Sequence, residues 1–445
     1  MTQSIFLLGG QTPNTFPSYR QLMEKCAAEG NFLSFDEHSD WLACYAHDAQ
    51  QVQSRTPLIV FRPHSISNIP PFVAACSQFS IPIAIRCGGT GRAGGAVPAK
   101  EGIVLLTGHL KQIREYCPKQ GTLFVEPGTT IRQINQLVER DGWHFPLSIA
   151  VEGVAGIAGC LSANARAYHR QQQSILEWID DVTIIDGRGQ IQQIAAPLAC
   201  GAEGLMGVII EIKVKLAKKS AGHCDFCWSG NWDSIMPKLS TFRSLKALDA
   251  IAWFKEKFYL TLSSANWRLR GATAFLKKNL PGIEEMAESC HSVLKHFVPS
   301  HPHFAIISAS LRPGLLPEAC DRSLNIAEHM QLNCMQQADV LNGVLHLILE
   351  SPGSMPLFNR SLEQFLTLWA DYVNGCKGVL AACNGVGTLM NRFMTPFLSE
   401  DTLNDLHKIH REYDPQNLFG RERFFPIEGK SLERVLSTPS EKQHR

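Results

Sequence analysis

No apolar run in this 445-residue sequence approaches the roughly 18 to 20 residues that a membrane-spanning helix needs. The stretch Ser4-Ile5-Phe6-Leu7-Leu8 is too short for a signal-peptide core, and no basic residue precedes it. Net charge is nearly missing as well. Lys and Arg number 42 against 41 Asp and Glu, and the balance of +1 argues against a nucleic-acid polyanion as partner. There is no internal repeat and no low-complexity stretch. With 44% hydrophobic and 19% charged residues, the chain can bury a sizeable core, which excludes wholesale disorder.

Cysteine is not scarce, but its 14 copies are scattered rather than framed. A secreted disulfide scaffold is usually small and Cys-dense, so a reducing cytoplasm fits this chain better. The one short pair, Cys224 and Cys227, offers half of a metal knuckle or a redox pair, yet no second pair completes a zinc site. It reads instead as two small apolar side chains in an extended segment. No Cys-rich cluster motif for an iron–sulfur centre is present.

At roughly 150 residues per domain, the length suggests two or three domains. A strand at 58–61, a helix over 67–79 with two prolines in its first turn, and a strand at 82–86 form a βαβ unit. Further strands follow at 103–106 and 122–126. Thr130 and Gln133 form a capping-box pattern for a helix that Gly142 stops. The segments 182–185 and 190–194 flank Asp186-Gly187-Arg188-Gly189, a hairpin signal. From 208 the sequence becomes a half-buried strand, with Ile210, Ile212, Val214 and Leu216 inward. Residues 217–222 are small and polar, a domain boundary. Beyond it, strand-like runs at 251–262, 304–311 and 344–349 alternate with helical runs at 283–297, 318–330 and 361–373, the last capped by Ser361 and Gln364. This pattern predicts one antiparallel sheet with helices on one side.

The most informative segment is the glycine loop Arg86-Cys87-Gly88-Gly89-Thr90-Gly91-Arg92-Ala93-Gly94-Gly95-Ala96. It contains GxGxxG after a strand, but it runs into Val97-Pro98-Ala99-Lys100-Glu101-Gly102 where a Rossmann loop would open a helix. The Rossmann reading therefore fails on context. The anion chemistry survives: five glycines in eight residues let successive backbone N–H groups converge with no Cβ in the way. A second run of tiny residues spans 153–165, and a third segment, 201–209, leads into the alternating strand. Together they suggest one large ligand threaded through a domain.

In order, the motifs are Pro57-Leu58-Ile59-Val60 with Arg62-Pro63-His64-Ser65, the loop 88–98, and Val125-Glu126-Pro127-Gly128. Then come Phe145-Pro146-Leu147-Ser148, Gly156-Ile157-Ala158-Gly159, Ala163-Asn164-Ala165, Glu203 to Ile209, and finally Tyr413 to Phe419. This series resembles the FAD-binding oxidoreductases of the vanillyl-alcohol oxidase / p-cresol methylhydroxylase (VAO/PCMH) superfamily, in particular the D-lactate dehydrogenase / glycolate oxidase large-subunit branch. The resemblance implies a two-domain α+β flavoprotein. Its parts would be an N-terminal segment (1–47), an FAD-binding PCMH-type domain (48–220), a substrate or cap domain with an antiparallel sheet and flanking helices (221–405), a C-terminal return to the FAD domain (406–428) and a polar tail (429–445).

By the same resemblance, Gly88, Gly89, Thr90 and Gly91 hold the FAD pyrophosphate, Ala155, Gly156, Gly159, Cys160, Ala163 and Asn164 line the cofactor, and Ile209 meets its adenine end. Some relatives attach flavin through a His near the position of Thr90, so non-covalent FAD is expected here. Where the family often continues Asn-Ala-Gly-Gly, this chain has Asn164-Ala165-Arg166-Ala167, a cation that would pair with a phosphate or mark a degraded site.

The substrate half departs further. Metal-dependent relatives use a His-x-Gly-Asp-Gly-Asn-x-His signature and then Glu-His-Gly; here the stretches read Asp339-Val340-Leu341-Asn342-Gly343-Val344-Leu345-His346 and Cys383-Asn384-Gly385. No metal is expected, although Asp339, His346 and Cys383 are residue types that form a replacement zinc site. His346 is the candidate catalytic base, set against a plain sheet histidine, and Arg312 and Lys255 are candidates for a carboxylate clamp. The expected activity is hydride transfer from a small hydroxylated substrate, such as D-lactate or glycolate, to flavin N5. Oxygen, a quinone or a partner protein would then take the electrons. A metal-free sugar or alcohol oxidase of the same superfamily and a catalytically decayed flavin-binding subunit are the alternatives.

Overall fold

The computed structural model describes residues 16–422 except 35, 37, 51, 53, 167–173, 295–296 and 384. The stretch 4–8, Ala167, Asn384 and the tail 429–445 lie outside the described residues.

The first sheet holds β1 (Gly30–Ser34), β2 (Ile59–Pro63), β3 (Ile83–Arg86) and β4 (Ile103–Leu106) in the order β1-β2-β4-β3. β4 inserts between the two strands of the expected βαβ unit and runs parallel to both. The helix Ile69–Phe79 begins with Pro70 and Pro71 in its first turn, where the missing N–H groups have no intrahelical partner to lose. Its apolar side packs on the sheet, with Phe72 stacked on Phe61 at 3.8 Å between ring centroids.

Chain order then gives β5 (Ile113–Cys117), β6 (Thr122–Val125), β7 (Trp143–His144), β8 (Ile179–Ile185), β9 (Ile191–Ala195), β10 (Val208–Lys215) and β11 (Ala217–Lys218). Five of these form an antiparallel sheet in the order β5-β6-β10-β8-β9, while β7 pairs with β11. The capping box is present: Thr130 accepts from the Gln133 N–H, and Gln133 accepts from the Thr130 N–H. β10 alternates as expected from Ile210 onward, but Val208 and Ile209 are buried too, so its first residues are enclosed on both faces.

The third sheet is fully antiparallel and has eight strands. They are β12 (Gly222–Trp228), β13 (Leu248–Phe254), β14 (Lys257–Ser264), β15 (Glu284–Glu285), β16 (His303–Ser310), β17 (Asn333–Asp339), β18 (Val344–Ser351) and β19 (Val379–Leu380). Their order is β15-β12-β14-β13-β17-β18-β16-β19. Along β18, Leu345, Leu347 and Leu349 join Phe358, Phe365 and Trp369 in the largest core. The helices Leu316–His329 and Met355–Gly375 cover that face. Residues of opposite parity, Val344 and His346 among them, point the other way.

Three local expectations need correction. The run 251–262 is not one strand but the hairpin β13–β14, because Lys255 and Glu256 take positive φ values of 48° and 62° and turn the chain. Among its described residues, the run 283–297 is helical only over Cys290–Leu294: Glu284 and Glu285 add an edge strand to β12 instead, and the short helix covers the cavity-facing side of the sheet. Ser361 and Gln364 do not cap the long helix. It starts at Met355 after Ser354, since Pro356 in a first turn permits an earlier start. Cys224 and Cys227 lie on β12 as free thiols, paired across the ladder with Leu262 and Tyr259. No helix among the described residues is long and apolar enough to cross a membrane.

Candidate active site: a glycine-walled cavity facing a histidine

After β3 the chain enters the glycine loop, and no helix forms before β4. A neighbouring segment braces the loop. Asp48 accepts the Gly94 N–H at 2.6 Å and the Gln50 N–H at 3.0 Å, and the Ala49 N–H donates to the Gly91 carbonyl. Gln50 also accepts the Ile306 N–H at 2.8 Å, which ties the loop's support to β16 at the edge that β19 leaves uncovered. Asp48 and Gln50 were not singled out from the sequence, because nothing local marks a polar side chain that acts on a loop some 40 residues later.

The glycines divide into two kinds. A Cβ on Gly88 would collide with the Val154 carbonyl, and one on Gly156 with Cys87 Sγ and the Pro127 carbonyl. These two let the first and second small-residue segments pack backbone on backbone. By contrast, a Cβ on Gly91, Gly95 or Gly159 would meet its nearest protein atom only at 3.8, 3.9 and 3.8 Å. Those positions open into a cavity of about 570 Å³.

Of the expected cofactor residues, Gly88, Gly89, Thr90, Gly91, Ala155, Gly156, Gly159, Cys160, Ala163 and Ile209 all line this cavity. Asn164 does not. It takes a positive φ of 48°, and its side-chain oxygen accepts from Ser174 Oγ at 2.8 Å and Cys200 Sγ at 3.4 Å, closing a turn behind the wall. The return segment 414–419 also stays off the cavity. Asp414 accepts the N–H groups of Leu418 and Phe419, and the Leu418 carbonyl accepts from Ile83, so the segment anchors the start of β3.

The third sheet supplies the opposite wall through Ile306, Gln337, Asp339, Val344 and His346. His346 stands between Gln337 on β17 and Ser308 on β16 in register. Ser308 Oγ in turn accepts the Cys383 N–H at 3.0 Å. Burial, and then the charge of Arg92, push the His346 pKa down to about 4, so the imidazole is neutral near pH 7 and able to accept a proton. Asp339 accepts from the Asn342 N–H and side-chain amide at 3.2 and 2.7 Å, which holds the β17–β18 turn. Burial drives Cys383 up to about 12 and Cys160 likewise, so both stay protonated thiols. Asp339, His346 and Cys383 share the cavity, but no three His, Cys, Asp or Glu side chains among the described residues are grouped to hold a metal.

The expected clamp residues are misplaced. Lys255 is an exposed hairpin-turn residue and Arg312 an exposed residue after β16, and neither lines the cavity. Among the described residues, the cations that do are Arg92 and Arg166. Arg92 lies within the glycine loop itself.

The glycine wall fits an extended cofactor, since three of its positions need the missing Cβ only for something outside the protein. Residues 57–195 match an FAD binding domain family. The chain is 20% identical to D-2-hydroxyglutarate dehydrogenase from Stutzerimonas stutzeri, over 87% of this chain and 95% of that one. It is 26% identical to glycolate oxidase subunit GlcD from Bacillus subtilis over 42% of each chain, so that match spans less than half of the relative's length. Among solved structures it is similar to p-cresol methylhydroxylase with substrate bound, with a TM-score of 0.77, 13% identity, and coverage of 94% of this chain and 98% of that one. The chain is therefore an FAD-dependent oxidoreductase with an FAD binding domain over residues 57–195, and its α+β fold is that of p-cresol methylhydroxylase.

Proposed function

We propose that the protein oxidises a small 2-hydroxy acid to the 2-oxo acid, with His346 as the base. The observation that carries this reading is the placement of a buried, neutral imidazole on the sheet face opposite the glycine wall, in one cavity. The relatives named for D-2-hydroxyglutarate and glycolate support the substrate class. Bound FAD supplies the hydride acceptor. Gly88, Gly89, Thr90 and Gly91 would hold its pyrophosphate through backbone N–H groups, and Ala155, Gly156, Gly159, Cys160, Ala163 and Ile209 would bound the rest of it. Thr90 favours non-covalent attachment. His346 would take the substrate hydroxyl proton on a ring nitrogen, with Gln337 and Ser308 fixing the imidazole on either side.

On this reading residues 48–220 carry the cofactor, 221–405 the substrate wall, and 406–428 return to the cofactor part. A separate oxidant (oxygen, a quinone or a partner protein) would take the electrons. The 14 free thiols support a cytoplasmic location. The test is product formation: with an artificial electron acceptor, FAD-loaded protein should convert D-lactate, glycolate or a related 2-hydroxy acid to the 2-oxo acid, trapped as its hydrazone. No 2-oxo acid from any member of the panel would overturn the proposal.

A further inference from the structure

Four residues stand in register across the third sheet. Phe254 on β13 faces Gln337 on β17, Gln337 faces His346 on β18, and His346 faces Ser308 on β16. Directly opposed residues share a face, so the Phe254 side chain emerges on the cavity side, two strand spacings or about 10 Å from His346. The segment that follows the short helix Cys290–Leu294 is laid over it. The Phe297 ring meets that of Phe254 edge-on, with centroids 6.0 Å apart, and Leu294 and Met335 join the same cluster. Leu294, Phe297 and Val298 line the cavity, with Val298 55% exposed at its mouth.

The cations of the cavity lie elsewhere. Arg92 is on the glycine loop and Arg166 just past the second small-residue run, and among the described residues no Lys or Arg of the third sheet or of 294–298 lines the cavity. A carboxylate pressed on the Phe297 wall would lose its water and gain no partner, whereas an apolar group gains by the same burial. The reacting carbon of a 2-hydroxy acid carries the hydroxyl, the carboxylate, the transferred hydrogen and one further substituent. With the hydroxyl at His346, the row of opposed residues offers that substituent the Phe297 wall.

We propose that Leu294, Phe297 and Val298 form the side-chain subsite of the substrate, so that the acid oxidised carries a branched-alkyl or aryl group rather than a second carboxylate. The inference rests on the oxidation reading above and narrows its substrate class. D-2-hydroxyglutarate, with its second carboxylate, is then a poor substrate for this chain, and glycolate, with no side chain, leaves the subsite empty.

The test uses FAD-loaded protein and two 2-oxo acids that carry no hydroxyl to oxidise, phenylpyruvate and 2-oxoglutarate, titrated by calorimetry and by the change in flavin absorbance. The parent protein should bind phenylpyruvate about 10-fold or more tightly than 2-oxoglutarate, the lower end of what one apolar group is worth in a pocket. F297A should weaken phenylpyruvate by about 10-fold and leave oxalate, which has no side chain, unchanged. V298D, at an exposed position that disturbs no core, should weaken phenylpyruvate and spare oxalate as well. In turnover, phenyllactate should exceed D-2-hydroxyglutarate in kcat/KM, and F297A should narrow that ratio. Tighter binding of 2-oxoglutarate, no phenylpyruvate binding by the parent protein, phenylpyruvate affinity unchanged in either variant, or a loss that oxalate shares would each overturn the subsite. Failure of every 2-hydroxy acid to reduce the flavin strikes the oxidation reading separately, while Phe297-dependent phenylpyruvate binding still upholds the subsite.

Discussion

Glu203 accepts the backbone N–H of Gly387 at 2.6 Å, and its other carboxylate oxygen accepts that of Val386. One side chain from the segment before β10 thus fastens the segment that follows β19, and both border the cavity. The fit is close on each side. A Cβ on Gly385 would lie 3.0 Å from Glu203 Oε1, and Gly387 takes a φ of +49° against the Ala93 carbonyl.

Removing this carboxylate leaves two N–H groups without their acceptor. Glu203→Ala should cost about 1.5–3 kcal/mol of stability, with Glu203→Gln costing less because an amide oxygen still accepts. Urea unfolding of the two variants measures the difference. An unchanged midpoint in Glu203→Ala would contradict the assigned fastening.

The two kinds of glycine predict different failures. Gly91→Val should fold normally but lose stoichiometric FAD, because its side chain projects into the cavity rather than into protein. Gly88→Ala should destabilise the protein, since its Cβ meets the Val154 backbone. Flavin content after denaturation and the unfolding midpoint, measured together, separate the two effects.

His346→Ala should retain FAD and slow flavin reduction by about 10²- to 10⁴-fold, the usual contribution of a positioned base. In the parent protein reduction should be independent of pH above about 5 and fall as pH drops through about 4, where the imidazole takes up a proton and can no longer accept one. Rapid-mixing reduction across pH tests both. A rate that rises toward acid would remove His346 as base.

Away from the cavity, His223 Nε2 lies 2.6 Å from Asp225 Oδ2, and Thr261 Oγ1 donates to Asp225 Oδ1. Burial would raise the Asp225 pKa, but the hydrogen bonds from His223 and Thr261 outweigh it and bring it to about 2. Its contribution to stability is present above the unfolded value near 4 and is lost as pH falls toward about 2. His223 is raised, chiefly by its hydrogen bond to Asp225, so its share is full below about 6.5 and fades as pH rises through the higher folded value. Asp225→Asn should therefore flatten the pH dependence of the melting temperature at both ends.

Much of the glycine wall was legible because its signal is local: close packing at Gly88 and Gly156 demands a residue without a Cβ, and the small residues Gly91 and Gly159 leave the cavity open. The alternation of β10 and the capping box at Thr130 were readable for the same reason. The substrate wall was harder. β17 escaped notice because Gln336 and Gln337 break its apolar pattern; Gln336 is buried on Cys320 and Ser323, while Gln337 faces the cavity. Asn164 failed as a cofactor residue because a left-handed turn residue and a ligand contact look alike in sequence. Arg312 and Lys255 failed as clamps because a cation's reach across two sheets has no sequence period.

The most direct measurement is the visible spectrum of the FAD-loaded protein before and after anaerobic addition of D-lactate, glycolate and a panel of small 2-hydroxy acids. Flavin bands that bleach with at least one of them are the predicted result. Protein that takes up no flavin, or bound flavin that no 2-hydroxy acid bleaches, would contradict the account.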